Sequence, residues 1–117
     1  MKVIEIQKLL DADILCGSGS MDLNTDYVFG TDMMSDVLAF AEDCSTLVTG
    51  LCNPQVVRTA EMLDISCIVF VCGKTPGENI LALAEMKDMA ILTTSHSMFT
   101  SCGILYEHGL RTSGRCF

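Results

Sequence analysis

Ser66-Cys67-Ile68-Val69-Phe70-Val71-Cys72-Gly73-Lys74-Thr75-Pro76-Gly77 decides the fold of this 117-residue chain. From Cys67 to Cys72 the residues are apolar without interruption. A short run with no polar alternation is apolar on both faces, and so reads as a strand buried at the centre of a parallel sheet. Gly73 breaks the run. Thr75 and Glu78, three residues apart, have capping-box spacing, and Pro76 falls at a first helical position. The stretch therefore reads as strand, turn and helix start.

The same unit recurs on both sides. Upstream, Thr46-Leu47-Val48-Thr49-Gly50 is a strand and turn, and Asn53-Pro54 opens a helix to about Leu63 that buries Val56, Val57, Ala60 and Leu63. The helix after Thr75 buries Ile80, Leu81, Ala84 and Leu83. Downstream, Ala90-Ile91-Leu92-Thr93 is a strand and Thr94-Ser95-His96-Ser97 a turn. The last helix runs from Met98 to about His108, where Gly109 stops it. Strands beginning near residues 46, 67 and 90, with a helix between each pair, predict parallel strands joined by right-handed crossovers.

The N-terminal part is less regular. Val3, Ile6, Leu9 and Leu10 have helical spacing, although Val3-Ile4-Glu5-Ile6 alone also fits a strand. Asp13-Ile14-Leu15-Cys16 reads as a strand, and Gly17-Ser18-Gly19-Ser20 as a flexible turn without the lysine and spacing of a phosphate loop. Tyr27-Val28-Phe29 is a short strand near a sheet edge. Thr31 or Asp32 is placed to cap a helix with Met34, Val37, Leu38 and Ala41 on one face. The expectation is one α/β domain over residues 1–110, a three-layer α/β/α arrangement on a mostly parallel sheet of about five strands. A polar tail follows at 111–117.

Composition narrows the function classes. Fifteen acidic residues against seven basic ones leave a net charge of −8, which argues against nucleic-acid and anionic-membrane surfaces. No apolar run approaches the roughly 18 residues of a membrane span. The N-terminus lacks a signal-peptide layout, so a cytoplasmic protein is expected. Seven cysteines form an odd count with no CxxC pair, which reads as core thiols in a reducing cell. Eight methionines and no tryptophan suit an anaerobe.

In an open parallel sheet, ligands collect beyond the carboxyl ends of the strands. Three turns are expected to share that edge. They contribute Gly50, Cys52 and Asn53; Gly73, Lys74 and Thr75; and Thr94, Ser95, His96 and Ser97. Each leads into a helix N-terminus, with free N–H groups and partial positive charge, and Lys74 adds a full charge. A small anion such as a phosphate or nucleotide is the ligand this predicts, and capping by Asn53, Thr75 and Ser97 is the plainer alternative. Cys16, Cys52 and Cys72 at one edge would offer a thiol cluster for a metal or redox role, with a lowered thiol pKa at Cys52. No nucleophile–base pair emerges and His96 has no placed carboxylate, so no catalytic residue and no cofactor are assigned. Asp22, Asp26, Asp32 and Asp36 read as caps and solvated residues.

Residues 47–99 resemble the DRTGG domain. The resemblance rests on Leu47-Val48-Thr49-Gly50, Val57 to Ala60, Ile68 to Gly73 with Pro76, Leu81 to Ala84, Ile91-Leu92-Thr93-Thr94 and Met98-Phe99-Thr100, in that order. The opening KVIEIQKLLDADILCGS and FGTDMMSDVLAFA are also similar to the family's start. The chain departs from the pattern where the family commonly has Asp-Arg and Thr-Gly-Gly. Here Leu51-Cys52-Asn53 and Val71-Cys72-Gly73-Lys74 stand instead, so no role of an Asp-Arg pair carries over. The resemblance implies a fold like the N-terminal domain of HPr kinase. It also implies a regulatory or assembly module, often dimeric and without established catalysis. Such domains accompany paired CBS domains in some pyrophosphatases, occur in some phosphate acetyltransferases, or stand alone near iron-only hydrogenase genes. A non-enzymatic ligand-sensing homodimer is thus the leading expectation, and an assembly subunit of a redox enzyme the alternative.

Overall fold

The computed structural model describes residues 1–43 and 45–112. In chain order these form α1 (Val3–Leu9), β1 (Asp13–Cys16), a 3-10 turn (Ser18–Ser20), β2 (Val28–Gly30), α2 (Met34–Phe40), β3 (Thr46–Thr49), α3 (Pro54–Met62), β4 (Cys67–Phe70), α4 (Glu78–Met86), β5 (Ala90–Thr93) and α5 (Met98–Glu107). The strands lie in the order β1-β5-β4-β3-β2. The pairs β2–β3, β3–β4 and β4–β5 are parallel, and β1 runs antiparallel to β5.

The central run sits where its composition places it. Every residue of β3, β4 and β5 is buried, with β4 in the middle of the sheet. One face is covered by α2, α3 and α4 through Val37, Val56, Ala60, Ile80 and Ala84. The other is covered by α1 and α5 through Val3, Ile6, Leu10 and Leu105. Each fully buried aliphatic side chain contributes about 1.5–3 kcal/mol. The layers are therefore α/β/α on a sheet with one antiparallel pair.

Four helices end in the same way. After α1, α3 and α4 the chain passes through Asp11, Asp64 and Asp88, all with positive φ, and after α5 through Gly109. The next residue in each case (Ala12, Ile65, Met89 or Leu110) is buried. Its N–H donates back to Gln7, Ala60, Ala84 or Leu105 respectively. This is the Schellman arrangement, which satisfies the last carbonyls of a helix and packs an apolar residue beyond it.

Several local expectations are corrected. Thr75 and Glu78 form no capping box: α4 begins at Glu78 with Gly77 at its N-cap, and Pro76 is buried in the loop. The reason is the preceding turn. Cys72 and Gly73 both take positive φ, and four further residues bring the chain to the helix. Leu38 is exposed, because the short α2 buries only the narrow stripe Met34, Val37 and Ala41. Leu63, Leu81 and Leu83 are half-buried. The segment after α5 is tied to the sheet edge at its start, where the Val28 N–H donates to the Arg111 carbonyl at 3.0 Å. The rest of the expected tail, 113–117, lies outside the described residues, as do Cys44 and Cys116.

Candidate functional site

Because β2 to β5 are parallel, their carboxyl ends share one edge. The three expected turns meet there, and a fourth joins them: Thr31 and Asp32, which follow β2. Sequence reading placed Asp32 among capping residues. Its carboxylate instead accepts the Gly50 N–H at 2.6 Å and the Thr49 hydroxyl at 3.2 Å. The signal was present in Gly30-Thr31-Asp32, which ends a strand and precedes a helix as the other turns do.

Gly50 is the close-approach point of this edge. A methyl group on it would lie 3.4 Å from Asp32 Oδ1 and 3.6 Å from Lys74 Nζ. Opposite charges thus flank Gly50, and both side chains are exposed. Among the described residues Lys74 makes no ion pair. Its main chain is fixed by the Thr93 hydroxyl, which donates to the Lys74 carbonyl at 2.7 Å.

Several backbone donors of these turns are used internally. Cys72 and Gly73 donate to the His96 and Thr94 carbonyls, both at 2.8 Å. The Leu51 N–H donates to the Thr49 hydroxyl at 3.1 Å. The first two bonds lock the β4–α4 loop to the β5–α5 loop. Thr94 is drawn inward: its hydroxyl donates to the Leu10 carbonyl at 2.7 Å and accepts the His96 N–H at 3.3 Å. Ser97 caps α5 by accepting the Thr100 N–H at 3.1 Å. Asn53 occupies the N-cap of α3, yet its Oδ1 is buried with no hydrogen-bond partner among the described residues. Thr75 and Ser95 are exposed and His96 is half-buried.

The thiols divide. Cys52 and Cys72 lie on this edge and are exposed. Cys16 lies at the opposite end of the sheet, because β1 is antiparallel, and its Sγ donates to the Met89 carbonyl at 3.4 Å. The three-thiol cluster is therefore dismantled by strand direction. The described residues hold no group of three or more His, Cys, Asp or Glu arranged to take a metal. The Cys52 thiol is also not activated: burial pushes its pKa up, and the nearby Lys74 only partly opposes this.

No helix among the described residues is long and apolar enough to cross a membrane. No curated protein matches this chain. Among solved structures it is similar to the crystal structure of the CBS and DRTGG domains of the regulatory region of Clostridium perfringens pyrophosphatase, complexed with the activator diadenosine tetraphosphate. The TM-score is 0.73 at 18% identity, over 98% of this chain and 51% of that one. This chain thus spans about half the length of that neighbour. The model of the DRTGG domain matches residues 5–107, from α1 to α5, and the chain belongs to the DRTGG domain family.

Proposed function

We propose that this chain is a non-enzymatic regulatory module of the cytoplasm. It senses a small anionic ligand of the nucleotide class at the carboxyl edge of its parallel strands, and it acts through a dimer or a partner protein. The observation that carries this reading is the convergence of the Lys74 ammonium and the Asp32 carboxylate on Gly50. A lysine at a strand end supplies a point charge for a phosphate. An exposed carboxylate accepts hydrogen bonds from hydroxyl or amino groups. A nucleotide presents both. Asn53 Oδ1, buried without a partner among the described residues, is a further acceptor beside the turn. The regulatory context of the Clostridium perfringens neighbour, which was solved with a dinucleotide activator, supports the same class.

The mechanism is a population shift, in which a ligand favours the state it binds more tightly. A thermal-shift screen of nucleotides, inorganic phosphate and small acids tests it. A ligand at about 100 times its Kd stabilises the fold by about 2.7 kcal/mol, a rise of several degrees in Tm. The rise is expected to vanish in Lys74→Ala and to shrink in Ser97→Ala. No shift with any nucleotide or phosphate would replace this reading with that of an assembly subunit.

A further inference from the structure

We infer that the Asp32 carboxylate is the chain's own occupant of an oxyanion subsite at Gly50, and that a phosphate group of the ligand enters this subsite by displacing it. The inference rests on the preceding reading and deepens it by naming a contact that holds the same edge closed.

The receptor is rigid. Thr49 and Gly50 are buried at the end of β3. That end is held from both sides, because the Thr31 N–H donates to the Val48 carbonyl and the Val71 N–H to the Thr49 carbonyl, both at 3.0 Å. The Thr49 hydroxyl accepts the Leu51 N–H at 3.1 Å, which leaves its own proton to be given outward. That proton goes to Asp32 Oδ1 at 3.2 Å, and the Gly50 N–H goes to the same oxygen at 2.6 Å. A backbone N–H and a hydroxyl that converge on one charged oxygen are the donors an oxyanion takes, and their bonds are charge-assisted.

The occupant is held differently. Asp32 is exposed and stands in the loop 31–33 between β2 and α2. When its side chain leaves, the carboxylate returns to water, where a charge is well solvated. The donors are buried and cannot follow. Left bare, each carries a desolvation penalty, so Asp32 departs most readily when another oxyanion takes its place. Exchange of one oxyanion for another keeps both bonds.

Lys74 favours the ligand in that exchange. Its Nζ and Asp32 Oδ1 lie 3.6 and 3.4 Å from the position a Gly50 Cβ would take, yet among the described residues the two side chains form no ion pair. The in-chain carboxylate therefore serves the two β3 donors and leaves the ammonium to solvent. A phosphate has more oxygens than a carboxylate, and so has acceptors for the Gly50 N–H, the Thr49 hydroxyl and the Lys74 ammonium together. Displacement of Asp32 also removes a like charge from beside the bound anion.

Thermal shift with inorganic phosphate, acetate or chloride, at one pH and one ionic strength, tests this on the full chain. Wild type is expected to respond weakly to phosphate and not to acetate. Asp32→Ala is expected to melt below wild type and to regain several degrees with either oxyanion but not with chloride. Its affinity for phosphate is expected to be at least about tenfold tighter than that of wild type, the factor one hydrogen bond to a charged group supplies. Asp32→Asn keeps the shape and an acceptor oxygen, and gives the reading if the alanine variant does not fold. It is expected to gain phosphate affinity by a smaller factor. Asp36→Ala removes the same charge from the first turn of α2 and is expected to match wild type. The inference is overturned if the Asp32 variants take phosphate no more tightly than wild type, if Asp36→Ala gains equally, or if chloride restores Asp32→Ala as well as phosphate does. The ligand reading fails by a different readout. Phosphate binding by Asp32→Ala, with no nucleotide shifting either protein, overturns that reading and leaves the subsite standing. A nucleotide shift in wild type without the gain in Asp32→Ala does the reverse.

Discussion

Asp32 at the end of β2 accepts the backbone N–H of Gly50 at the end of β3, at 2.6 Å, so a carboxylate of the chain occupies a donor that a bound anion would otherwise use. Asp32→Ala leaves the buried Gly50 N–H without its partner and the Thr49 hydroxyl without its acceptor. Hydrogen bonds to charged groups are worth about 1.5–3 kcal/mol, and a loss of that order in urea unfolding is expected. Asp32→Asn keeps an acceptor and loses less. Removing the negative charge beside Lys74 also raises affinity for inorganic phosphate, read by thermal shift. Unchanged stability in both variants would show that the contact is not a support of the edge.

The helix ends carry a second prediction. Asp64 and Asp88 hold positive φ, a conformation that costs an L-residue roughly 1–2 kcal/mol and glycine almost nothing. Asp64→Gly and Asp88→Gly are each expected to stabilise the fold by up to about 1 kcal/mol, after the entropy glycine adds to the unfolded chain. Gly109→Asp is expected to destabilise by a similar amount. Urea midpoints compared at equal m-value decide it.

Gly17 and Gly19 look alike in sequence and behave differently. Gly17 has φ +81°, and a Cβ on it would lie 2.5 Å from the Ala90 Cα, a backbone atom that cannot turn aside. Nothing lies within 4 Å of a Cβ on Gly19. Gly17→Ala is expected to destabilise by more than about 2 kcal/mol, and Gly19→Ala by less than about 0.5 kcal/mol. Equal losses in chemical denaturation would contradict this account of the turn.

Thiol burial sets an alkaline limit. Partial burial raises the pKa of the half-buried Cys16 and Cys102 above the ordinary 9.0. The folded state therefore keeps protons that the unfolded chain releases. Below the unfolded value the thiols make stability no function of pH. As pH climbs from there through the folded values, this contribution is lost. Urea unfolding in reductant is expected to show falling stability above about pH 9. The fall is expected to be shallower in Cys16→Ser/Cys102→Ser. An identical slope in that variant would remove the thiols from the explanation. The same protonation makes Cys52 slow to react with thiol reagents at neutral pH.

Much of this was legible in the amino-acid sequence. The unbroken apolar run at Cys67, the turns at Gly50 and Gly73, and the cap at Ser97 read correctly, because each acts within a few residues. The Asp-apolar pairs at Asp64-Ile65 and Asp88-Met89 were legible too but unread, since glycine is the usual marker of a helix end. The edge itself was foreseen, but not what fills it. The Gly50 donor is taken by a residue 18 positions away, and Thr94 is held by Leu10, 84 positions away.

By itself, then, the sequence determined the kind and order of the strands and helices and which turns face one edge. Hydrophobic period and capping chemistry are local, and parallel crossovers leave those turns no other place. Only the tertiary structure decided the direction of β1, and with it that Cys16 stands apart from Cys52 and Cys72. It alone brought Asp32 and Lys74 to either side of Gly50. These depend on pairings between distant segments, whose energies no short window of residues contains.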